Sequence, residues 1–165
     1  MSTLDAAFQM RTPAEPSFET TLHVRDTCLC LHAQRAARAL ARRFDIALKP
    51  VGITSGQFSL LMSLNRPRAP KLGSVAALLA MDRTTLTANL KPLERQGLVA
   101  TSVDPIDRRA RLLRLTPAGR RALGKAAPIW QRVHAQIETG ISDPGQLRAE
   151  LGRLSGMDHG DGANG

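Results

Sequence analysis

A mainly α-helical fold carrying one small two-stranded β hairpin follows from three features of this sequence. Apolar residues recur at helical spacing through most of the chain, and Pro, Gly and capping residues cut that pattern into separate helices. From Leu72 to Leu115 the order is a helix, a tight turn, a second helix and a basic hairpin. That succession is the layout of a winged helix-turn-helix, a shape that sets one helix in the DNA major groove and a loop over the neighbouring minor groove.

Residues 1–19 contain Pro13, Pro16 and scattered polar residues without periodicity, which predicts a flexible arm. From Leu22 to Leu48, Cys28, Leu29, Ala33, Ala36, Ala37, Leu40, Ala41, Phe44 and Leu48 share one broad face, the pattern of a single long helix ended by Pro50 and Gly52. Thr54-Ser55-Gly56-Gln57 has the form of a capping box, and a second helix continues through Phe58, Leu61, Met62 and Leu64 to the Pro-containing run Arg66 to Pro70. Leu72, Val75, Ala76 and Leu79 make the apolar face of a short helix, with Ala80 and Met81 as the turn. Asp82 is an N-cap residue. Leu86, Leu90 and Leu93 form the buried stripe of the helix that follows, and Gly97 suits the position after its end. Pro92 lies inside that helix and should loosen it locally.

Val99 to Val103 and Arg111 to Leu115 read as strands joined by a loop opening on Asp104-Pro105. Thr116-Pro117 announces a helix through Leu123, Ile129, Trp130, Val133 and Ile137, bent at Pro128; Asp143-Pro144 announces a last one with Leu147, Leu151 and Leu154. The Gly-rich residues 156–165 are expected to be disordered.

The chain has a net charge of +9, and its distribution is more telling than its size. Residues 66–125 hold 13 Lys and Arg against 4 Asp and Glu, whereas the remainder holds 10 of each. A basic patch confined to one module is the footprint expected where phosphates are neutralised. The 165 residues suit one domain with tails, and 42% apolar content argues against global disorder. No apolar run reaches the roughly 18 residues of a membrane span, and the N-terminus lacks the order of a secretory signal, so a cytoplasmic protein without membrane partners is expected. No phosphate-cradling Gly loop, paired carboxylates or nucleophile-base constellation points to an enzyme or a cofactor.

Three segments together resemble the MarR family of transcriptional regulators over about residues 22–155: Arg83-Thr84-Thr85-Leu86-Thr87, Leu93-Glu94-Arg95-Gln96-Gly97-Leu98-Val99, and Asp107-Arg108-Arg109 followed by Leu115-Thr116-Pro117-Ala118-Gly119. The resemblance implies one domain over 20–155, with dimerisation helices at 20–50 and 117–155 around a winged helix-turn-helix at 53–116. It implies a homodimer reading a pseudo-palindromic site on double-stranded DNA. It places Thr84, Thr85, Thr87 and Lys91 in the major groove and Arg109 at the minor groove, with Asp107 orienting its guanidinium. Arg83, Arg108, Thr54 and Ser55 are expected on phosphates. Ala88 stands where relatives often carry a basic residue.

The resemblance also implies a cleft for a small aromatic or phenolic effector, with Phe58, Met62, Trp130 and His134 as candidate lining, although core packing is the default reading of His134 beside Trp130. Cys28, four residues before His32, resembles the placement of the peroxide-sensing thiol in one branch of the family, with Arg25 and Arg35 near enough in sequence to favour thiolate. The chain has no Tyr, whereas that branch surrounds its thiol with tyrosines. On one continuous helix Cys28 and Cys30 would point about 200° apart, unable to bridge or to share a metal without unwinding, so no metal site is expected. Three functions follow: a dimeric repressor released by a small molecule, a hydroperoxide-sensing repressor using Cys28, or a sequence-tolerant architectural nucleic-acid-binding protein.

Overall fold

A computed structural model describes residues 15–156, and the expectations for residues 1–14 and 157–165 lie outside them. The helices are α1 (Phe18–Thr27), α2 (Leu29–Leu48), α3 (Ser55–Ser63), α4 (Leu72–Leu78), α5 (Arg83–Arg95), α6 (Pro117–Glu138) and α7 (Pro144–Leu154). A 3₁₀ turn covers Lys49–Val51, and the strands are β1 (Val99–Val103) and β2 (Arg111–Leu115). The chain divides into two compact units, up to Ala39 and from Leu40 onward, a boundary inside α2.

The first unit corrects the sequence reading twice. A helix already begins at Phe18, inside the expected arm, because the Ser17 hydroxyl accepts from the Thr20 N–H at 3.3 Å and so caps it. The expected single helix is also broken at Cys28, whose φ of −71° and ψ of 106° are extended. Asp26, Thr27 and Cys28 are all poor helix formers, and the Thr27 hydroxyl bonds back to the His23 carbonyl at 2.8 Å. The opposed directions expected for Cys28 and Cys30 assumed one helix through both, and that premise fails.

The second unit is built around leucines. Leu48, Leu61, Leu86, Leu93 and Leu113 are fully buried, and Phe58, Leu60, Val75, Leu90, Val99, Leu115 and Leu123 close the core around them. Burying one such side chain contributes about 1.5–3 kcal/mol. The capping box at Thr54 and Gln57 forms as expected, as do the side-chain caps at Asp82, Thr116 and Asp143. α5 and α6 continue through Pro92 and Pro128 without ending.

β1 and β2 pair antiparallel with Val99 opposite Leu115 and Val103 opposite Arg111. A bridge between Lys71 and Leu112, with the Leu113 N–H donating to the Pro70 carbonyl at 3.0 Å, ties β2 to the start of α4. The other end of the hairpin is fixed by α6. The Thr116 hydroxyl donates to the Gly97 carbonyl at 2.6 Å, and its oxygen accepts from the Gly119 N–H at 3.0 Å. A Cβ on Gly119 would lie 2.1 Å from the Leu98 carbonyl oxygen, so only glycine lets the first turn of α6 pack this closely.

The loop between the strands is closed from inside. The Asp104 N–H donates to the Ala110 carbonyl at 3.1 Å, and the buried Asp104 carboxylate accepts from the Ile106 N–H at 2.9 Å. Lys71 Nζ lies 3.5 Å from its other oxygen. The Ile106 N–H and, to a lesser degree, the Asp107 N–H and the Lys71 charge hold the carboxyl below the usual carboxylate range, against the opposing effect of its burial.

Gly119→Ala is expected to destabilise the chain by about 1–3 kcal/mol in urea unfolding, because the added carbon meets backbone. Gly124→Ala, on the same helix with open space around it, should instead be neutral or stabilise by about 0.5–1 kcal/mol. Asp104→Asn is expected to lower the thermal midpoint at pH 7. Because the folded carboxyl titrates below its unfolded value, its contribution is complete above the ordinary carboxylate range and fades as the pH falls through it. The difference between wild type and Asp104→Asn should therefore shrink below about pH 4 in parallel melts.

Candidate nucleic-acid interface

The turn between α4 and α5 is made by Ala80, whose φ of 50° is left-handed, and is closed by the Met81 N–H donating to the Ala76 carbonyl at 2.9 Å. α5 then buries Leu86, Leu90 and Leu93 and leaves Thr84, Thr85, Thr87, Ala88 and Lys91 exposed. Its first turn is held by Asp82, which accepts from the Thr85 N–H at 2.8 Å and from the Thr85 hydroxyl at 2.6 Å. The Thr85 hydroxyl, followed by the backbone N–H groups, keeps the Asp82 carboxyl below the usual range. The Thr87 hydroxyl donates to the Arg83 carbonyl at 2.7 Å. Among the described residues, the Thr84 hydroxyl and the Lys91 ammonium engage no other group.

Arg83 turns away from that exposed line toward α4, where its guanidinium would lie 3.1 Å from a Cβ at Gly73. There it helps to line a cleft of about 460 Å³ with Lys71, Gly73, Asp107, Arg109 and Arg111. Four cations and one carboxylate thus converge between the start of α4, α5 and the hairpin loop, a concentration of positive potential suited to a polyanion. Arg83, Asp107 and Arg109 are the expected site residues brought together here. Lys71 and Arg111 join them only through the pairing of residues 70 and 71 with β2, which no local pattern announces. Arg108 is exposed and does not line the cleft. One expected role is altered: Asp107 Oδ1 accepts from the Arg109 backbone N–H at 3.1 Å, so it orients Arg109 through the main chain and not through the guanidinium.

At the start of α3 three backbone donors are already engaged. The Gln57 N–H bonds to Thr54 Oγ1 at 3.2 Å, the Thr54 N–H to Gln57 Oε1 at 3.0 Å, and the Ser55 N–H to Asp45 Oδ1 at 2.6 Å. The capping box was evident from spacing, whereas Asp45, ten residues away, was not. Thr54 and Ser55 therefore offer hydroxyls beside a carboxylate, not a set of open N–H groups.

Three of the four expected effector residues are neighbours. Phe58 stacks on Trp130 with centroids 6.1 Å apart, and Trp130 stacks on His134 at 4.6 Å. Phe58 is buried, Met62 is 43% exposed, and the cleft described above is lined by none of the four. His134 Nδ1 lies 3.7 Å from Glu138, whose carboxylate is also bonded to Arg148 at 2.5 Å.

In the first unit, half-buried Cys28 Sγ accepts from the Leu31 N–H at 3.5 Å, and exposed Cys30 Sγ accepts from the Gln34 amide at 3.2 Å. Arg25, expected to favour a thiolate at Cys28, instead makes two hydrogen bonds to Asp26 at 2.6 and 2.8 Å. That pairing raises the arginine's pKa and lowers the aspartate's. Among the described residues no three His, Cys, Asp or Glu are grouped to hold a metal ion, and no helix is long and apolar enough to cross a membrane.

Residues 53–110 match the model of the MarR family. The chain is 36% identical to the transcriptional regulator MosR of M. tuberculosis, solved in complex with DNA, covering 78% of this chain and 94% of that one with a TM-score of 0.73. It is 26% identical to the transcriptional repressor CouR, solved on a 23-mer DNA duplex, covering 87% and 99% of the two chains with a TM-score of 0.67. CouR from Rhodococcus jostii RHA1 has also been solved bound to p-coumaroyl-CoA. The organic hydroperoxide resistance transcriptional regulator of Bacillus subtilis is 27% identical over 74% of this chain and 84% of its own length. With the winged helix, the cationic cleft beside α5 and these relatives agreeing, the chain belongs to the MarR family and is a DNA-binding transcriptional regulator, not an enzyme.

Proposed function

We propose that the protein acts as a homodimeric repressor of a pseudo-palindromic operator and that a small aromatic or phenolic molecule releases it. The observation that carries the DNA-facing part is the convergence of Lys71, Arg83, Arg109 and Arg111 beside the exposed threonines of α5. In this reading Thr84, Thr85, Thr87 and Lys91 face base edges. Arg109 enters the minor groove, and Arg83, Arg108 and Ser55 approach phosphates. Thr54 serves chiefly as the cap that orients Ser55, and Asp107 as the brace behind Arg109.

Dimerisation is supported by the apolar stripe of α7. Leu147, Leu151 and Leu154 are 42%, 48% and 65% exposed, and Leu40 and Ile46 on α2 are 43% and 76% exposed. Apolar side chains at i, i+4 and i+7 of one helix form a stripe that a second copy would cover. An effector acts by binding better to a spacing of the two winged modules that does not fit DNA, and lowers operator affinity by that difference. CouR, a repressor whose ligand is a phenolic CoA thioester, supports this class of effector. The stacked Phe58, Trp130 and His134 are its candidate contacts, with Met62 at their exposed edge.

A second reading has its own support. Cys28 stands half-buried at the break between two helices, and a relative is a hydroperoxide resistance regulator. Oxidation there would act on the joint between α1 and α2.

On a duplex from upstream of its own gene, fluorescence anisotropy should show saturable binding by two subunits and a clear preference over a scrambled duplex at physiological salt. Arg109→Ala should weaken that binding about tenfold or more and reduce the slope against log salt by about 1. A phenolic acyl-CoA should release the duplex and change the fluorescence of Trp130, the sole Trp in a chain without Tyr. Equal affinity for the scrambled duplex would favour the architectural function. Under cumene hydroperoxide, loss of DNA binding by wild type but not by Cys28→Ser would support the thiol switch, and the same loss in both would remove it.

A further inference from the structure

We propose that Thr85 and Thr87 meet the bases as hydrogen-bond acceptors, so that each selects an amino-bearing base, adenine or cytosine, over a keto-bearing one on the strand it faces. The inference rests on the reading of α5 as the helix that enters the major groove, and deepens it.

A threonine hydroxyl has one hydrogen to donate and two lone pairs with which to accept. In Thr85 that hydrogen is directed to Asp82 Oδ2 at 2.6 Å, and in Thr87 to the Arg83 carbonyl at 2.7 Å. Both partners accept only: a backbone carbonyl has no hydrogen, and Asp82 is ionised at neutral pH because its hydrogen bonds stabilise the charged form. The direction of each bond is therefore set by chemistry. What these exposed side chains leave for a ligand is an oxygen with open lone pairs and a methyl group.

Thr84 differs. Among the described residues its hydroxyl has no partner, so it keeps both polarities. At about 100° per residue, Thr84 and Ala88 lie opposite the buried leucine stripe, and Thr85 and Thr87 flank them on either side. Ala88, with only a methyl group, allows the close approach that short threonines need.

Every base pair carries one amino group in the major groove, on adenine N6 or cytosine N4, and one keto oxygen, on guanine O6 or thymine O4. An acceptor fixed on one side of the groove therefore reads which strand carries the amino base. Placed against a keto oxygen it sets lone pair against lone pair. Turning the hydroxyl to donate would break the internal bond to Asp82 or Arg83. The γ-methyl groups add a preference for thymine methyls at adjoining positions. The resulting code is amino against keto at the two flanking positions, with Thr84 free to take either.

The test is enrichment from a randomised duplex library by the full-length protein, in parallel with Thr85→Val, Thr87→Val and Thr87→Ser, followed by sequencing. Wild type should enrich a site in which two positions per half-site accept adenine or cytosine and exclude guanine and thymine. Each valine variant, which keeps the shape and removes the acceptor, should relax one of them, whereas Thr87→Ser should keep the amino preference. In the enriched duplex, a purine lacking the 6-amino group at the Thr87 position should weaken wild-type binding about 3- to 10-fold and leave Thr87→Val unaffected. If wild type enriches a defined site but the valine variants keep the same base frequencies, or relax positions that held guanine or thymine, the acceptor assignment is overturned while α5 remains the reading helix. If wild type enriches no sequence, the reading of α5 fails and this proposal falls with it.

Discussion

Burial of Leu86, Leu90 and Leu93 in the core of the second unit is the constraint on which the rest depends. Because an α-helix repeats every 3.6 residues, fixing three leucines inward fixes every other position of α5. Thr84 and Ala88 have no choice but to face out, and Arg83 is turned to the side where α4 lies. The magnitudes support this order of causes. Each buried leucine contributes about 1.5–3 kcal/mol, whereas a solvent-exposed ion pair such as Arg25–Asp26 is screened by water and contributes far less. Apart from the Asp82 cap, polar groups on this surface do not hold the helix; the buried leucines do.

The same core decides what the hairpin can do. Leu113 and Leu115 point inward from β2, so Arg111, on the same side of the strand but beyond the core, is delivered to the edge shared with α4. Gathering Lys71, Arg83, Arg109 and Arg111 around one cleft sets like charges together. The repulsion is tolerated because these heads are solvated and because Asp104 and Asp107 brace the loop from within. A loop whose own carboxylates bond to its own N–H groups keeps its shape before DNA arrives, which reduces the ordering cost at binding. Isoleucine at the loop tip, Ile106, is 94% exposed, and no account of it follows from the packing.

Much of this was legible in the sequence, and the failures share a cause. Both strands fall at their expected bounds, and Asp82, Thr116 and Thr54 cap where their spacing indicated, because caps and periodicity are local signals. The start of α1 at Phe18 and the break at Cys28 escape that signal, because the Ser17 cap and the back-bonding of Thr27 act on the backbone without changing the apolar pattern from Leu22 onward. The cleft was half visible: charge counting located its module, but only the bridge between Lys71 and Leu112 shows that Lys71 and Arg111 share one edge. Asp45 beside Ser55 was beyond reach for the same reason, whereas the Asp107–Arg109 pairing was expected and only the group it engages, the backbone N–H, differs. The leucines of α7 were correctly read as a stripe, but a stripe in sequence does not say whether its cover is the same chain or a second copy.

One economy runs through the interface. Helix starts attract anions because their first N–H groups lack partners. Here the start of α3 has three of its bonds made by Gln57, Thr54 and Asp45, and the start of α5 is closed by Asp82. Both ends are thereby stabilised in the free protein, and both present carboxylates where open donors would otherwise stand. On the proposed DNA-facing reading, attraction to phosphate then comes chiefly from guanidinium and ammonium groups, and it is long in range, screened by salt and indifferent to sequence. Discrimination must come from the short polar side chains of α5, whose hydrogens are largely spent internally. On the proposed reading the two tasks separate, affinity resting chiefly with the cations around the wing and sequence choice chiefly with the short side chains of α5.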